Sequence, residues 1–169
     1  MIKNQVFIFL IVSLISFIAG AQDQRKSKGD GGIGYTGLDY ILGYQYQKHH
    51  TLEFGIAYGT RGEELASLFY GNIHLCGEVL ANGNRNIYAL KSGISATFIF
   101  LTVAGQFIYF SDFNKSSFAF RPEIGLSLFG FIDLNVGRNI VFTKDDPLNV
   151  NSTAFILRFT IGKSSRKMF

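Results

Sequence analysis

The chain has no tryptophan, one cysteine and two prolines in 169 residues. A lone Cys76 cannot form an internal disulfide, although an exported compartment would permit one, and it excludes a cysteine zinc site. Scarce proline leaves few places where a strand would lack a ladder donor. Strong charge of one sign is missing too. Sixteen basic against twelve acidic residues is too small a surplus to argue for nucleic acid, and apart from the C-terminal tail the basic residues are scattered except for Arg25, Lys26 and Lys28. There is no phosphate-cradling glycine loop, no His-Glu-x-x-His helix and no Gly-x-Ser-x-Gly elbow. No cofactor and no enzyme class is therefore indicated.

What is abundant is phenylalanine (18), tyrosine (8) and glycine (19), with a mean hydropathy of +0.20. Aromatic and β-branched residues favour strands. So much apolar surface, without a helical period, calls for a solvent other than water.

The first residues have the parts of a secretory signal. Lys3 is the positive region, Val6 to Ile18 the apolar run, and Ala19-Gly20-Ala21 the small-residue cleavage site. The run is too short to cross a ~30 Å hydrocarbon core as a helix. No cysteine follows it, which argues against a lipid-anchored lipoprotein. The expected organisation is a signal peptide over 1–21, a flexible periplasmic lead-in over 22–33, a β-barrel over 34–162 and a basic tail over 163–169.

Read in steps of two, the rest of the chain alternates. In the first segment Leu38, Tyr40, Leu42 and Tyr44 oppose Asp39, Ile41, Gly43 and Gln45. In the second, Leu52, Phe54 and Ile56 oppose Glu53, Gly55 and Ala57. Further segments set Ile73, Leu75 and Val79 against His74, Cys76 and Glu78, and Tyr88, Leu90 and Ile94 against Lys91 and Gly93. The pattern continues with Leu101, Val103, Phe107 and Tyr109 against Thr102, Ala104 and Gln106, Phe120, Ile124 and Leu126 against Arg121, Glu123 and Ser127, Leu134 and Val136 against Asp133 and Asn135, and Phe155, Leu157 and Phe159 against Arg158 and Thr160. Eight such segments of about ten residues are the pattern of a transmembrane barrel. The fold class expected is all-β, a closed antiparallel transmembrane β-barrel of about eight strands.

The joints fit that architecture. Lys48 to His50, Ala81 to Asn86, Asp112 to Ser117 and Lys144 to Asn151 are polar, as outer loops are. Phe98 to Phe100 and Gly130 mark tight inner turns. Arg61 to Ser67 is longer than an inner turn, and a helical turn at Glu63 to Ala66 would account for it. The apolar stretch Ile94 to Phe110 also admits a spanning helix. It is slightly short, holds Thr97, Thr102 and Gln106, and reads better as strand, turn and strand.

In hydrocarbon every backbone donor and acceptor must be paired internally, and a sheet achieves this only by closing on itself. The apolar faces then meet lipid. The inward faces carry Asp39, Glu53, Glu78, Glu123 and Asp133 against Lys91, Arg121 and Arg158. An eight-stranded barrel is just wide enough to be filled by side chains, so these eight residues are expected to interlock as a structural ion-pair network plugging the lumen. Pro122 within a strand implies a bulge or gap beside Arg121. Arg138 falls on the lipid face unless a bulge at Gly137 turns it inward.

The segments Phe120-Arg121-Pro122-Glu123-Ile124-Gly125-Leu126-Ser127-Leu128-Phe129-Gly130, Ile132-Asp133-Leu134-Asn135-Val136-Gly137-Arg138-Asn139-Ile140 and Ile108-Tyr109-Phe110-Ser111-Asp112-Phe113 resemble a group of small outer-membrane β-barrels of Bacteroidetes-type bacteria. The likeness covers residues 88 to 162. In that group a Tyr-Gly-Tyr-Asn element stands where this chain has Val136-Gly137-Arg138-Asn139. The resemblance implies fold and location, and carries no activity.

A structural or interaction role in the bacterial outer membrane is therefore expected, integral to the bilayer. The expected partners are outer-membrane lipids, the barrel assembly machinery and an extracellular partner met through the loops. A narrow channel or transporter for small solutes is the alternative. A lipid-acting enzyme at the rim would need residues such as Ser67, Ser111 and His49, which no spacing selects. A soluble ligand-binding barrel would invert the sorting of faces. His49-His50 and the trio His74, Cys76 and Glu78 are the metal-ligating types present, and a packed interior accounts for the trio.

Overall fold

The alternation of side chains along the chain is realised as a single closed antiparallel sheet. The computed structural model describes residues 35–61, 69–82, 85–128, 131–144 and 146–162. The expected signal peptide, lead-in and basic tail lie outside the described residues, as do the helical turn at Glu63 to Ala66 and the turn at Gly130.

The strands are β1 (Tyr35–Tyr46), β2 (His50–Arg61), β3 (Phe69–Asn82), β4 (Arg85–Phe98), β5 (Leu101–Ser111), β6 (Ser116–Leu128), β7 (Ile132–Arg138), β8 (Ile140–Val141) and β9 (Thr153–Gly162). Each pairs with its sequence neighbour from β1 to β7, β9 pairs with both β7 and β1, and the circle closes. The two residues of β8 continue β7 along β6, so the barrel has eight staves. Among the described residues there is no helix, and Ile94 to Phe110 is strand, two-residue turn and strand.

The break between β7 and β8 has a local cause. Glu123 pairs Gly137 and Phe120 pairs Ile140, so one register runs through both. Pro122 lies between them, and proline has no N–H to give to the ladder. The result is a gap beside Arg121 without a bulge, and Arg138 stays exposed on the outer face.

Each strand presents apolar residues outward, for example Leu42, Phe54, Ile73, Ile94, Val103, Leu126, Leu134 and Phe159, all exposed. Their sequence neighbours are buried: Gly43, Glu53, Ser127, Asp133 and Arg158 among them. Leu157, between outward Phe155 and Phe159 on the same face, is partly exposed.

The connections group at two ends. At the loop end lie Gln47 to His49, the β3–β4 turn, Asp112 to Lys115 and Phe142 to Ser152. The β3–β4 connection is tighter than the polar stretch Ala81 to Asn86 suggested, because Asn82 and Arg85 already pair. At the other, turn end, Ile99 adopts φ 58°, a costly conformation for a β-branched residue. It joins β4 to β5 through exposed Phe98, Ile99 and Phe100.

Candidate functional site

The inward residues fall into three layers between the loop end and the turn end. The middle layer holds six of the eight charged residues that the alternation places inside. Lys91 Nζ lies 2.8 Å from Glu53 Oε2 and 2.7 Å from Glu78 Oε1. Arg158 reaches Glu53 Oε1 at 3.1 Å and Glu123 Oε2 at 3.3 Å. Arg121 Nη1 lies 3.3 Å from Glu78 Oε1 and 4.0 Å from Glu123 Oε1. Three carboxylates face three cations, so the layer is formally neutral.

Gln45 binds the layer together. Its Nε2 donates to Glu53 Oε2 at 2.8 Å and to Glu78 Oε1 at 2.6 Å, while its Oε1 accepts from Arg121 Nη1 at 2.6 Å. Gln45, Glu53 and Arg121 are wholly buried. A charge in such a place is tolerated only when paired and hydrogen-bonded. The pairing of Arg121 with Glu78 was not legible from the faces alone, because it depends on how far the strands stagger around the barrel.

The other two carboxylates lie elsewhere. Asp39 accepts from the Tyr70 hydroxyl at 3.2 Å. Asp133 is directly cross-strand from Arg158 and hydrogen-bonds Ser127. With them in the turn-end layer are the Thr97–Thr102 hydroxyl pair at 2.7 Å and His74, whose Nδ1 is 3.0 Å from Asn72 Oδ1. The trio His74, Cys76 and Glu78 is therefore divided among Asn72, the wall at Gly55 and Lys91. Among the described residues, no three His, Cys, Asp or Glu side chains form a metal-holding group.

The loop-end layer was not anticipated. Leu80, Ile87, Ala89, Ile108, Phe110 and Ala119 point inward from β3 to β6 and form a buried apolar cluster with Leu148 and Val150 of the long β8–β9 loop. A weak signal existed in the chain: Ile108 and Phe110 share the face of Gln106, and Ile87 and Ala89 share the face of Lys91.

That loop is held by polar contacts. The Asp146 carboxylate accepts from the Val150 and Asn151 amides at 3.0 and 2.8 Å. Asp146 and Asn149 are both left-handed, at φ 37° and 53°, which Asn and Asp tolerate better than other residues. Asn139 Nδ2 donates to Val150 O at 2.7 Å and to Gln47 Oε1 at 3.2 Å, while its Oδ1 accepts from Arg121 Nε at 2.6 Å. Ser152 Oγ also donates to Gln47, at 3.3 Å.

At the rim, Ser111 Oγ accepts the Phe113 amide at 3.1 Å, and Asp112 Oδ1 accepts the amides of Asn114 and Lys115. These contacts hold Phe113, 80 % exposed at φ 69°, against Tyr88. His50 contacts the hydroxyl of Tyr44 through Nδ1, whereas burial and, secondly, neighbouring Lys48 lower the pKa of His49. Ser111, at the end of β5, and His49, in the β1–β2 connection, lie at separate points of the rim, and Ser67 lies outside the described residues.

No family model, no curated protein and no solved structure matches the chain.

Proposed function

We propose that the chain is an integral outer-membrane barrel with a structural or interaction role, its lumen plugged by the middle-layer ion pairs. The observation that carries this reading is the sorting of side chains. Exposed apolar residues ring the outside on every stave, while charged side chains lie buried inside. A soluble monomer rarely exposes more than a few hundred Å² of contiguous apolar surface. A lipid-facing barrel requires such a band, and its backbone pairs internally by closure.

The resemblance to Bacteroidetes-type outer-membrane barrels and the secretory features of residues 1–21 agree with this address. Lipids and the assembly machinery are then its obligatory partners. The loop carrying Phe113 is the surface through which it meets an extracellular one.

The plug reading is tested by conductance. The purified chain in planar bilayers is expected to pass little steady current, because the middle layer fills the lumen. A steady, ion-selective current whose selectivity changes in Arg158→Ala, without loss of stability, would put the narrow channel first.

A further inference from the structure

The loop-end layer is anomalous for a plug. Six wall residues there are apolar although they face the lumen, where neither lipid contact nor barrel closure requires it. Their cover is no part of the wall: Leu148 and Val150 are brought in by the β8–β9 loop. On β4 the inward residue after Ala89 is Lys91, and on β6 the one after Ala119 is Arg121. The apolar layer therefore rests on a floor that includes two cations and Gln106, the inward residue before Ile108 on β5.

That floor has spare donors. Arg121 Nη2 and Gln106 Nε2 are buried donors with no hydrogen-bond partner among the described residues, and Gln106 Oε1 is an acceptor without one. Both side chains are wholly buried. Gly93, cross-strand from Gln106, adds no side chain between Gln106 and His74. Buried donors of this kind are few in folded proteins, and each calls for an acceptor.

We propose that the loop-end chamber binds one acyl chain with an anionic head, and that Leu148 and Val150 occupy it as a lid in the unliganded barrel. The carboxylate accepts from Arg121 Nη2 and Gln106 Nε2, and the chain lies along Ala89, Ile108, Phe110 and Ala119. The lid suits displacement. Its two apolar side chains are the part the acyl chain replaces. Its fastenings to Gln47, Asn139 and Ser152 are polar and exchange readily with water.

Asn139 links the two events, since it holds Val150 O and Arg121 Nε at once. Turning Arg121 toward a carboxylate loosens the latch on the lid. The inference uses the lumen alone and stands apart from the membrane reading; a barrel recovered in the soluble fraction would be titrated in the same way.

The test is calorimetric titration of dodecanoate into the folded chain in phosphatidylcholine nanodiscs, with empty nanodiscs subtracted. One saturable site is expected, binding dodecanoate at least tenfold more tightly than dodecanol. The pair Gln47→Cys/Ser152→Cys, placed where the native side chains touch, should lose saturable binding when oxidised and regain it on reduction. Leu148→Ala/Val150→Ala should bind at least threefold more tightly than the wild type. The proposal is overturned if neither the wild type nor the lid variant shows saturable binding while both remain folded. Equal binding by oxidised and reduced forms would place the ligand on the outer surface and overturn it too, and equal affinity for dodecanol would remove the anionic head.

Discussion

Arg158 on β9 and Glu53 on β2 join hands over Gly43 of the intervening strand β1. Gly43 is cross-strand from both. The guanidinium donates through Nε to Oε1 at 3.1 Å and through Nη2 to Oε2 at 3.4 Å. Such two-point contact is what arginine's planar fork offers a carboxylate.

Removing one side of this pair strands the other. Arg158→Met is expected to lose about 3–5 kcal/mol, the usual cost of an uncompensated buried charge. Replacing both, as Arg158→Met with Glu53→Leu, should recover most of that loss. Urea unfolding of the four proteins of the cycle measures it. Additive losses would mean that the two residues do not act as a pair.

Gly43 is the saddle of that contact. A Cβ there would lie 2.9 Å from Glu53 Oε2 and 3.1 Å from Glu53 Cβ. Gly43→Ala should cost roughly 1–3 kcal/mol, as overpacking does. At Gly125 the added Cβ meets the backbone of Leu134 and Asn135, which cannot swing aside, so Gly125→Ala should cost more. The reverse order in unfolding experiments would contradict the packing described.

The faces can be tested at adjacent positions. Leu126 is 59 % exposed and Ser127 is wholly buried. With the outer face read as lipid-facing, Leu126→Arg should block assembly or cost up to about 4 kcal/mol. Ser127→Ala should cost less, roughly the 1–3 kcal/mol of a buried group left unpaired, since it removes a hydrogen bond to Asp133. Equal tolerance of the two would mean a one-residue slip of β6, which exchanges the faces.

The β8–β9 loop makes a separate prediction. In Asp146→Ala the amides of Val150 and Asn151 lose their carboxylate acceptor. Their hydrogen exchange should quicken, while the exchange of β1 to β6 amides stays as in the wild type. Unchanged exchange at Val150 would show that Asp146 does not hold the loop.

The strands were legible because their period is two and their faces differ in chemistry. Asp39, Ile41 and Gln45 against Leu38, Leu42 and Tyr44 suffice to orient β1. The inward placement of the eight charges follows from the same rule. Who pairs with whom does not, since Arg121 and Glu78 come from β6 and β3 and meet only through the stagger of the closed sheet. Leu148 and Val150 were hidden for a different reason. They sit in a polar loop with no period, and only tertiary packing shows that they enter the lumen. Pro122 announced a ladder defect, and its form as a gap required the registers of β7 and β8.

The central claim is that the outward apolar band faces lipid, and membrane fractionation with gel electrophoresis tests it most directly. The chain should sediment with the outer membrane, resist alkaline carbonate extraction, and run faster unboiled than boiled, as a closed barrel does in detergent. Recovery in the soluble fraction would contradict the account, whatever the state of the lumen.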